Sequence, residues 1–138
     1  MFTLANQLTQ DCHFVTELPL SSLLIVNDCR YPWCILVPRI DNITELIQLN
    51  HTQQSILMTE SNWLSTQLLE YYQPDKLNIA TIGNVVSQLH LHHVVRFKQD
   101  PAWPKPVWGH SPALAYQPAD LELFSQRLLS AASLLGNH

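Results

Sequence analysis

The sequence of 138 residues is poor in charge, and this shortage excludes several classes of protein. Charged residues make up 13% of the chain and the net charge is -4, which gives no basic surface for a nucleic-acid backbone. No run of about 18 apolar residues is present, so we expect no membrane-spanning helix. The first residues also lack a basic segment followed by an apolar core, so we expect no secretory signal.

Cysteine and glycine are also scarce. The three cysteines, Cys12, Cys29 and Cys34, are odd in number and have no C-x-x-C spacing, so we interpret them as reduced thiols of a cytoplasmic protein. The three glycines form no G-x-x-x-x-G-K loop of the kind that cradles phosphates. Any bound anion must therefore be held by side chains and by strand or loop amides.

The apolar fraction, by contrast, is large at 46%, which predicts a compact fold with a sizeable core. We predict a single domain over residues 1–138, with its core at about 11–110. Apolar residues at periods of two and 3.6 distinguish strands from helices, and Asp41 and Thr52 can cap two of the helices. Predicted strands cover residues 11–15, 23–27, 34–38, 78–82 and 88–97, and predicted helices cover 2–9, 43–49, 52–72 and 119–135. This order predicts an α+β fold in which helices pack on one face of a small antiparallel sheet.

The segment Gln88-Leu89-His90-Leu91-His92-His93 carries the strongest functional signal. Side chains on a strand alternate between its two faces, so Gln88, His90 and His92 would share one face. His93 would point to the opposite face, where a core or edge histidine is a better interpretation than a catalyst. Two imidazoles and one amide in a row on one face indicate a site.

This pattern resembles the signature of the histidine-triad (HIT) superfamily of nucleotide hydrolases and transferases, which reads His-x-His-x-His followed by apolar residues. His90 and His92 match the second and third motif histidines, and Gln88 stands at the position of the first. Together with residues 100–109, the segment 84–90 is similar to a bacterial HIT subgroup that carries Gln at this position and is diadenosine polyphosphate hydrolase-like. The resemblance implies an antiparallel sheet of about five strands with helices packed on one face, and a homodimer is expected.

In the HIT family the middle histidine attacks the α-phosphate of a nucleotide, and His90 holds that position here. Neutral imidazole is a good nucleophile near pH 7 if one ring nitrogen is free while the other donates its proton, typically to a backbone carbonyl. The resemblance implies that His92 hydrogen-bonds the phosphate or assists the leaving group. The competing interpretation is zinc chelation by the His-x-His pair, but no further ligand pair is evident, so we predict no metal site.

Gln88 departs from the three-histidine pattern. Its amide can donate a hydrogen bond to a phosphoryl or leaving oxygen, but it cannot act as a general acid. We predict a nucleotide hydrolase or nucleotidyl transferase that acts on a nucleoside phosphate or dinucleoside polyphosphate through a nucleotidyl-histidine intermediate. A nucleotide-binding module with little turnover, and a metal-dependent enzyme that uses the histidine pair, remain as alternatives. No cofactor is required for the predicted step, although a divalent cation could accompany the substrate.

The resemblance also implies substrate-binding residues outside the motif. Asn27 and Asp28 are similar to the family segment that holds the ribose hydroxyls, and Asn78 lies near a position where a family Asn contacts the nucleotide. The alternative interpretation is that all three are turn and strand-edge residues, which Asn and Asp often are. Trp103 and Trp108, in a proline-rich loop, could cover the nucleotide, bury themselves in a dimer interface or pin the loop to its own domain.

Overall fold

The chain folds around a five-stranded antiparallel sheet in a computed structural model, which describes residues 1–135. The strands lie in the order β1-β2-β3-β5-β4, with bounds β1 (Cys12–Glu17), β2 (Ser21–Val26), β3 (Trp33–Pro38), β4 (Lys76–Ala80) and β5 (Leu91–Arg96). The helices are α1 (Asn6–Asp11), α2 (His51–Tyr72) and α3 (Pro118–Leu135), and a single 3-10 turn covers Leu46–Gln48. The predicted α+β fold is confirmed. Residues 136–138 of the predicted single domain lie outside the described residues.

One large core lies between the sheet and the two long helices, α2 and α3. Its buried members alternate along β2 and β3 and recur at helical spacing along α2 and α3: Leu23, Ile25, Cys34, Leu36, Leu57, Leu64, Leu68, Phe124 and Leu128. Ser61, a polar gap in the apolar stripe of α2, lies in this core because its hydroxyl bonds the His93 ring at 2.7 Å. Glu60 is also buried, and its carboxylate accepts from the amides of Leu20 and Ser21 where β2 begins.

Two smaller clusters lie on the opposite face of the sheet in the part of the chain that the structure describes. At one end α1 packs Leu8 against Leu24, Ile35 and Val37. At the other end a second cluster joins the proline-rich loop to β5 and contains Tyr31, Val94, Ala102 and Val107. The sheet between these two clusters is open, so a cleft forms over β3 and β5.

A buried ion pair fixes the proline-rich loop that follows β5. Arg96 is 1% exposed, and its guanidinium binds both carboxylate oxygens of Asp100 at 2.8 and 3.1 Å. The same guanidinium donates to the Asn78 side chain and the Lys105 carbonyl, each at 2.8 Å. It also lies over the Trp103 ring, 5.6 Å from the ring centroid. Trp103 therefore pins the loop to its own domain, which is one of the roles considered above.

Two boundaries near the motif differ from prediction, and Gln88 accounts for the first. α1 begins at Asn6 and not at residue 2, because the Thr3 carbonyl and the Ala5 amide are held by the Gln88 side chain. β5 begins at Leu91 and not at residue 88, because its ladder with β3 ends there. The first half of the motif therefore lies ahead of the strand.

The segment before α2 is less helical than predicted. The expected helix over residues 43–49 is reduced to the 3-10 turn, and Asp41 does not cap it but pairs with the N-terminal amino group at 2.8 Å. Asn50, and not Thr52, caps α2. Its side chain accepts from the Gln53 amide at 2.8 Å while the Gln53 side chain accepts from the Asn50 amide at 2.9 Å, a reciprocal capping box.

Candidate functional site

The cleft on the open face of the sheet has a volume of about 760 Å³. Its floor is formed by β3 and β5, and its walls come from α1, the end of β2, the loop 82–86 and the loop 107–113. Small-molecule sites have volumes of about 300–1,000 Å³. The cleft is therefore large enough for a nucleotide.

His90 and His92 both line this cleft, with their ring centroids 4.7 Å apart. His92 lies on β5 opposite Ile35 of β3, on the face away from α2. His90 lies just before β5, and the backbone there brings its ring to the same side. Each residue is 7% exposed, so the pair is largely shielded from water.

The His90 ring has one nitrogen fixed by the protein. Its Nδ1 lies 2.7 Å from the carbonyl oxygen of Gln88. Because a carbonyl can only accept a hydrogen bond, Nδ1 carries the proton, and Nε2 of the neutral ring holds a lone pair. This is the arrangement that nucleophilic attack by an imidazole requires.

His92 is held in the opposite tautomer by Trp33, a residue to which the sequence interpretation gave no role. The Trp33 indole donates from Nε1 to His92 Nδ1 at 3.0 Å, and an indole N–H cannot accept. The proton of neutral His92 is therefore on Nε2. Burial, and then the charges of His90 and His93, lower the pKa of His92 to about 3, so the ring is neutral near pH 7. His92 thus contributes an N–H donor to the site.

Trp108, from the proline-rich loop, covers the histidine pair and also lines the cleft. Its ring centroid lies 5.1 Å from that of His92 and 5.8 Å from that of Trp33, both edge-on. Its indole nitrogen is buried and has no hydrogen-bond partner among residues 1–135. Trp108 therefore shields the site, whereas Trp103 anchors the loop that carries it.

His93 is a core histidine, as predicted. It is fully buried on the α2 side of the sheet, where its Nδ1 donates to the Leu91 carbonyl at 3.2 Å and its Nε2 accepts from the Ser61 hydroxyl at 2.7 Å. Burial lowers the pKa of His93 to about 4, so this ring is also neutral. Both of its nitrogens are satisfied within the protein, which leaves none for catalysis.

The Gln88 side chain points to the N-terminal segment. Its amide oxygen accepts from the Ala5 amide and its amide nitrogen donates to the Thr3 carbonyl, each at 2.8 Å. Gln88 is not among the described residues that line the cleft. The predicted hydrogen bond from Gln88 to a phosphoryl oxygen gains no support from this placement and stays a prediction.

Asn27 and Asp28, at the end of β2, both line the cleft. The Asn27 side-chain oxygen accepts from the Tyr116 amide at 2.9 Å, so its amide hydrogens are the groups it can offer to a ligand. The Asp28 carboxylate binds Arg30 through Nε and Nη2 at 2.9 and 2.7 Å. Burial opposes ionisation, but the hydrogen bonds and charge of Arg30 outweigh it and keep the pKa of Asp28 below its ordinary value. Asp28 is therefore ionised and can accept hydrogen bonds, while the Arg30 guanidinium compensates most of its negative charge.

Asn78 is not brought to the cleft. It lies on β4, and its side-chain oxygen accepts from Arg96 within the network that fixes the proline-rich loop. Among residues 1–135 it does not contribute to the cleft lining. A contact between Asn78 and a nucleotide therefore remains a prediction without geometric support.

The electrostatic character of the cleft is set by neutral donors. Of the described residues that line it, Asp11 and Asp28 are acidic and none is Lys or Arg. In the part of the chain that the structure describes, no three or more His, Cys, Asp or Glu side chains are grouped so that they could hold a metal ion. A bound phosphate would therefore be held by N–H groups, His92 Nε2 first among them.

Comparison with known proteins identifies the family. The HIT domain model matches residues 7–99. Histidine triad proteins from Marinobacter aquaeolei VT8 and Bradyrhizobium japonicum are 42% and 41% identical, cover 98% of this chain and 98% of their own, and superpose with TM-scores of 0.94 and 0.88. A histidine triad protein from Sinorhizobium meliloti 1021 is 35% identical over 94% of this chain and 96% of its own, with a TM-score of 0.91. The search of curated proteins gives no match. The family model spans the whole sheet and both cleft histidines, and the chain belongs to the HIT family.

Proposed function

We propose that the protein is a nucleotide hydrolase or nucleotidyl transferase in which His90 attacks the α-phosphorus of a nucleoside phosphate or dinucleoside polyphosphate. The observation that carries this proposal is the 2.7 Å contact between His90 Nδ1 and the Gln88 carbonyl. It places the ring proton away from Nε2, the nitrogen that can act as nucleophile. HIT proteins are generally nucleotide hydrolases or transferases, which gives the same reaction class.

The reaction follows in two steps. The lone pair of His90 Nε2 forms a bond to phosphorus while the bond from phosphorus to the leaving oxygen breaks, and the leaving group departs with that electron pair. The imidazolium ring formed in this step keeps its proton on Nδ1 and donates it in a hydrogen bond to the Gln88 carbonyl oxygen, which stabilises the new positive charge. The oxygen of water, or of another acceptor in a transferase, then forms a bond to phosphorus while the bond from phosphorus to Nε2 breaks with its electron pair returning to Nε2, and the attacking oxygen releases its proton to solvent.

His92 would stabilise the phosphoryl oxygens through its Nε2 proton. A neutral imidazole is a hydrogen-bond donor but a very weak acid, so it does not supply a proton to the leaving group. The site therefore favours leaving groups that depart as stable anions, such as a nucleoside phosphate or polyphosphate, or that arrive with their own proton, such as the nitrogen of a phosphoramidate protonated from solvent. A polyphosphate substrate brings several negative charges to a cleft that has no cationic side chain among its described residues, so we propose that a divalent cation accompanies it.

The nucleoside would be held at the end of β2. The Asn27 amide hydrogens can donate to one ribose hydroxyl, and the ionised Asp28 carboxylate can accept from another. Both residues line the same cleft as His90 and His92, which supports the assignment.

The test is detection of the covalent intermediate. The purified protein is incubated with adenosine substrates labelled at the α-phosphate with ³²P, namely ADP, diadenosine polyphosphates and an adenosine phosphoramidate, and quenched without acid. His90→Asn should abolish the labelled adduct and lower kcat by at least about 1,000-fold. His110→Asn, which removes an exposed imidazole from the neighbouring loop, is the matched control and should leave the adduct intact. Nucleotide affinity is followed separately through the fluorescence of Trp33 and Trp108.

The alternatives give different results. A binding module with little turnover would show a nucleotide-dependent change in tryptophan fluorescence but neither adduct nor product with any of these substrates. A metal-dependent enzyme that uses His90 and His92 would be isolated with stoichiometric metal and would be inhibited by chelators even on the phosphoramidate substrate. Either result would overturn the proposed mechanism.

We also propose that the protein is a homodimer in the cytoplasm, as HIT proteins often form dimers. β4 is an edge strand, and Ile79 on it and Val85 in the following loop are exposed, at 48% and 92%. All three cysteines are free, as expected in a reducing compartment. No helix among residues 1–135 has the length and apolar character needed to cross a membrane. Sedimentation equilibrium of the wild type and of Ile79→Lys tests the dimer.

A further inference from the structure

Gln88 connects two parts of the molecule that are far apart in sequence. Its side chain binds Thr3 and Ala5, more than 80 residues away, through two hydrogen bonds of 2.8 Å. Its main-chain carbonyl binds His90 Nδ1 at 2.7 Å. The same residue therefore holds the N-terminal segment with its side chain and orients the proposed nucleophile with its backbone.

The chemistry of this contact suits an amide. The carbonyl of residue i and the amide of residue i+2 lie on the same edge of an extended segment, as they do in a sheet ladder. A carboxamide presents a donor and an acceptor side by side in one plane and can bind both groups at once. A carboxylate has no donor for the Thr3 carbonyl, and the two nitrogens of an imidazole point away from each other. Glu or His at position 88 would therefore lose at least one of these bonds.

The segment that Gln88 holds leads directly into a wall of the cleft. Ala5 is the residue that precedes α1, and no side chain caps this helix. α1 contributes Gln7, Leu8, Gln10 and Asp11 to the cleft lining, and Leu8 anchors it on the sheet. This wall is therefore held on the sheet by Leu8 and at its N-terminal entry by Gln88.

We infer that Gln88 is a positioning residue that sets the N-terminal wall of the substrate cleft through Thr3 and Ala5 and so controls substrate affinity more than the chemical step. This inference rests on the proposed function only in taking the cleft as the nucleotide site. It gives the residue at the first motif position a role that needs no contact with the phosphoryl group.

Gln88→Leu removes both hydrogen bonds at similar side-chain size. We expect hydrogen exchange of the amides in residues 5–9 to accelerate and the KM, or the nucleotide Kd where turnover is absent, to rise by roughly tenfold. kcat should stay within about twofold, because the Gln88 carbonyl still orients His90. Gln99→Leu, which removes an exposed Gln from the turn after β5, is the matched control and should change neither quantity.

Ala5→Pro tests the same contact from the other side and leaves Gln88 untouched. The Ala5 φ of -56° suits proline, and the substitution removes the amide that donates to the Gln88 oxygen while leaving the Thr3 carbonyl in place. It should raise KM or Kd in the same direction, and combining it with Gln88→Leu should add little. Gln88→Glu keeps the acceptor for Ala5 but sets a carboxylate oxygen against the Thr3 carbonyl oxygen, so it should raise KM or Kd at least as much as Gln88→Leu.

The inference would be overturned by a kcat that falls tenfold or more in Gln88→Leu while exchange and KM are unchanged, since Gln88 would then act on the reacting phosphoryl group. Unchanged exchange at residues 5–9 would overturn it regardless of activity. A wild type that binds nucleotide but does not turn it over would refute only the proposed reaction, because exchange and Kd still report on the wall.

Discussion

Trp33→Phe is the substitution that most directly tests how the site is organised. In the wild type the indole Nε1 donates to His92 Nδ1 at 3.0 Å and so leaves the His92 proton on Nε2. Phenylalanine keeps an aromatic ring on β3 but has no donor. His92 is only 7% exposed, so little water can replace the lost partner. The ring is then free to place its proton on either nitrogen, and the donor aimed at the phosphoryl group is lost part of the time.

The expected loss of activity follows from the worth of one hydrogen bond. A neutral hydrogen bond contributes about 1 kcal/mol net, and leaving a buried acceptor unsatisfied costs about 1–3 kcal/mol. If the transition state loses about 1–2 kcal/mol of stabilisation, kcat falls by roughly 5–30-fold. The free energy of unfolding should also fall, because a smaller ring leaves space beside Trp108.

Trp108→Phe separates these two effects. Trp108 also contacts the His92 ring edge-on, but its own Nε1 has no partner among the described residues, so the substitution removes volume without removing a hydrogen bond. Long-range ¹H–¹⁵N correlation spectra report the tautomers directly. We expect His90 protonated at Nδ1 and His92 at Nε2 in the wild type and in Trp108→Phe, and a mixture at His92 in Trp33→Phe. An unchanged His92 tautomer, or an equal loss of kcat in both variants, would refute the reasoning.

Three further predictions concern stability and charge. The pKa values of His92 and His93 lie at about 3 and 4, below the ordinary 6.5. As the pH falls below 6.5, the unfolded chain therefore binds protons that the folded chain does not. The free energy of unfolding should fall between pH 6.5 and 4 by up to about 1.4 kcal/mol per pH unit for each histidine. Urea denaturation at pH 7.5, 6.5 and 5.5 measures this slope, and His93→Gln should reduce it by about half. Asp100→Asn leaves the buried Arg96 charge uncompensated and should cost about 3–5 kcal/mol in the same assay, whereas the exposed Lys105→Ala should cost almost nothing. Hydrolysis of a dinucleoside polyphosphate should rise at least about tenfold with Mg²⁺, while hydrolysis of an adenosine phosphoramidate should not; equal responses would show that the cleft does not need the cation for charge compensation.

Hydrophobic periodicity was sufficient to predict the fold class, but not the local details. β3 and α2 lie within a residue of their predicted bounds, because β3 is a continuous apolar run and α2 carries buried leucines at positions 57, 64 and 68 and ends before Pro74. The N-terminal helix begins later than predicted because its entry is held by the Gln88 side chain, more than 80 residues away, and β5 begins later because its ladder with β3 ends at Leu91. Neither contact alters the apolar periodicity of the N-terminal segment or of β5, so neither boundary could be predicted from local sequence.

The two cleft histidines could be predicted from sequence because their signal is a two-residue spacing within one short segment. Trp33 could not be assigned in the same way. Trp33 and Ile35 are two residues apart and therefore lie on the same face of β3. The contact between Trp33 and His92, however, depends on the β3–β5 register, which pairs residues almost 60 positions apart. For Asn78 the nucleotide contact remains a prediction, and the hydrogen bond that its side-chain oxygen accepts from the buried Arg96 could not be anticipated from the resemblance.

The two histidines have the same side chain and the same burial, and their roles differ only through the partner of Nδ1. For His90 this partner is an acceptor, the Gln88 carbonyl, and for His92 it is a donor, the Trp33 indole. One ring therefore presents a lone pair and the other a proton, as nucleophilic attack on a phosphate requires. The hydrogen bond to His90 Nδ1 is accepted by the main-chain carbonyl of Gln88, so a substitution of the side chain at position 88 leaves this acceptor in place. Gln88 at the position expected for the first motif histidine is thus compatible with the nucleophile proposed at His90, and its side chain is available for the role inferred at the N-terminal wall of the cleft.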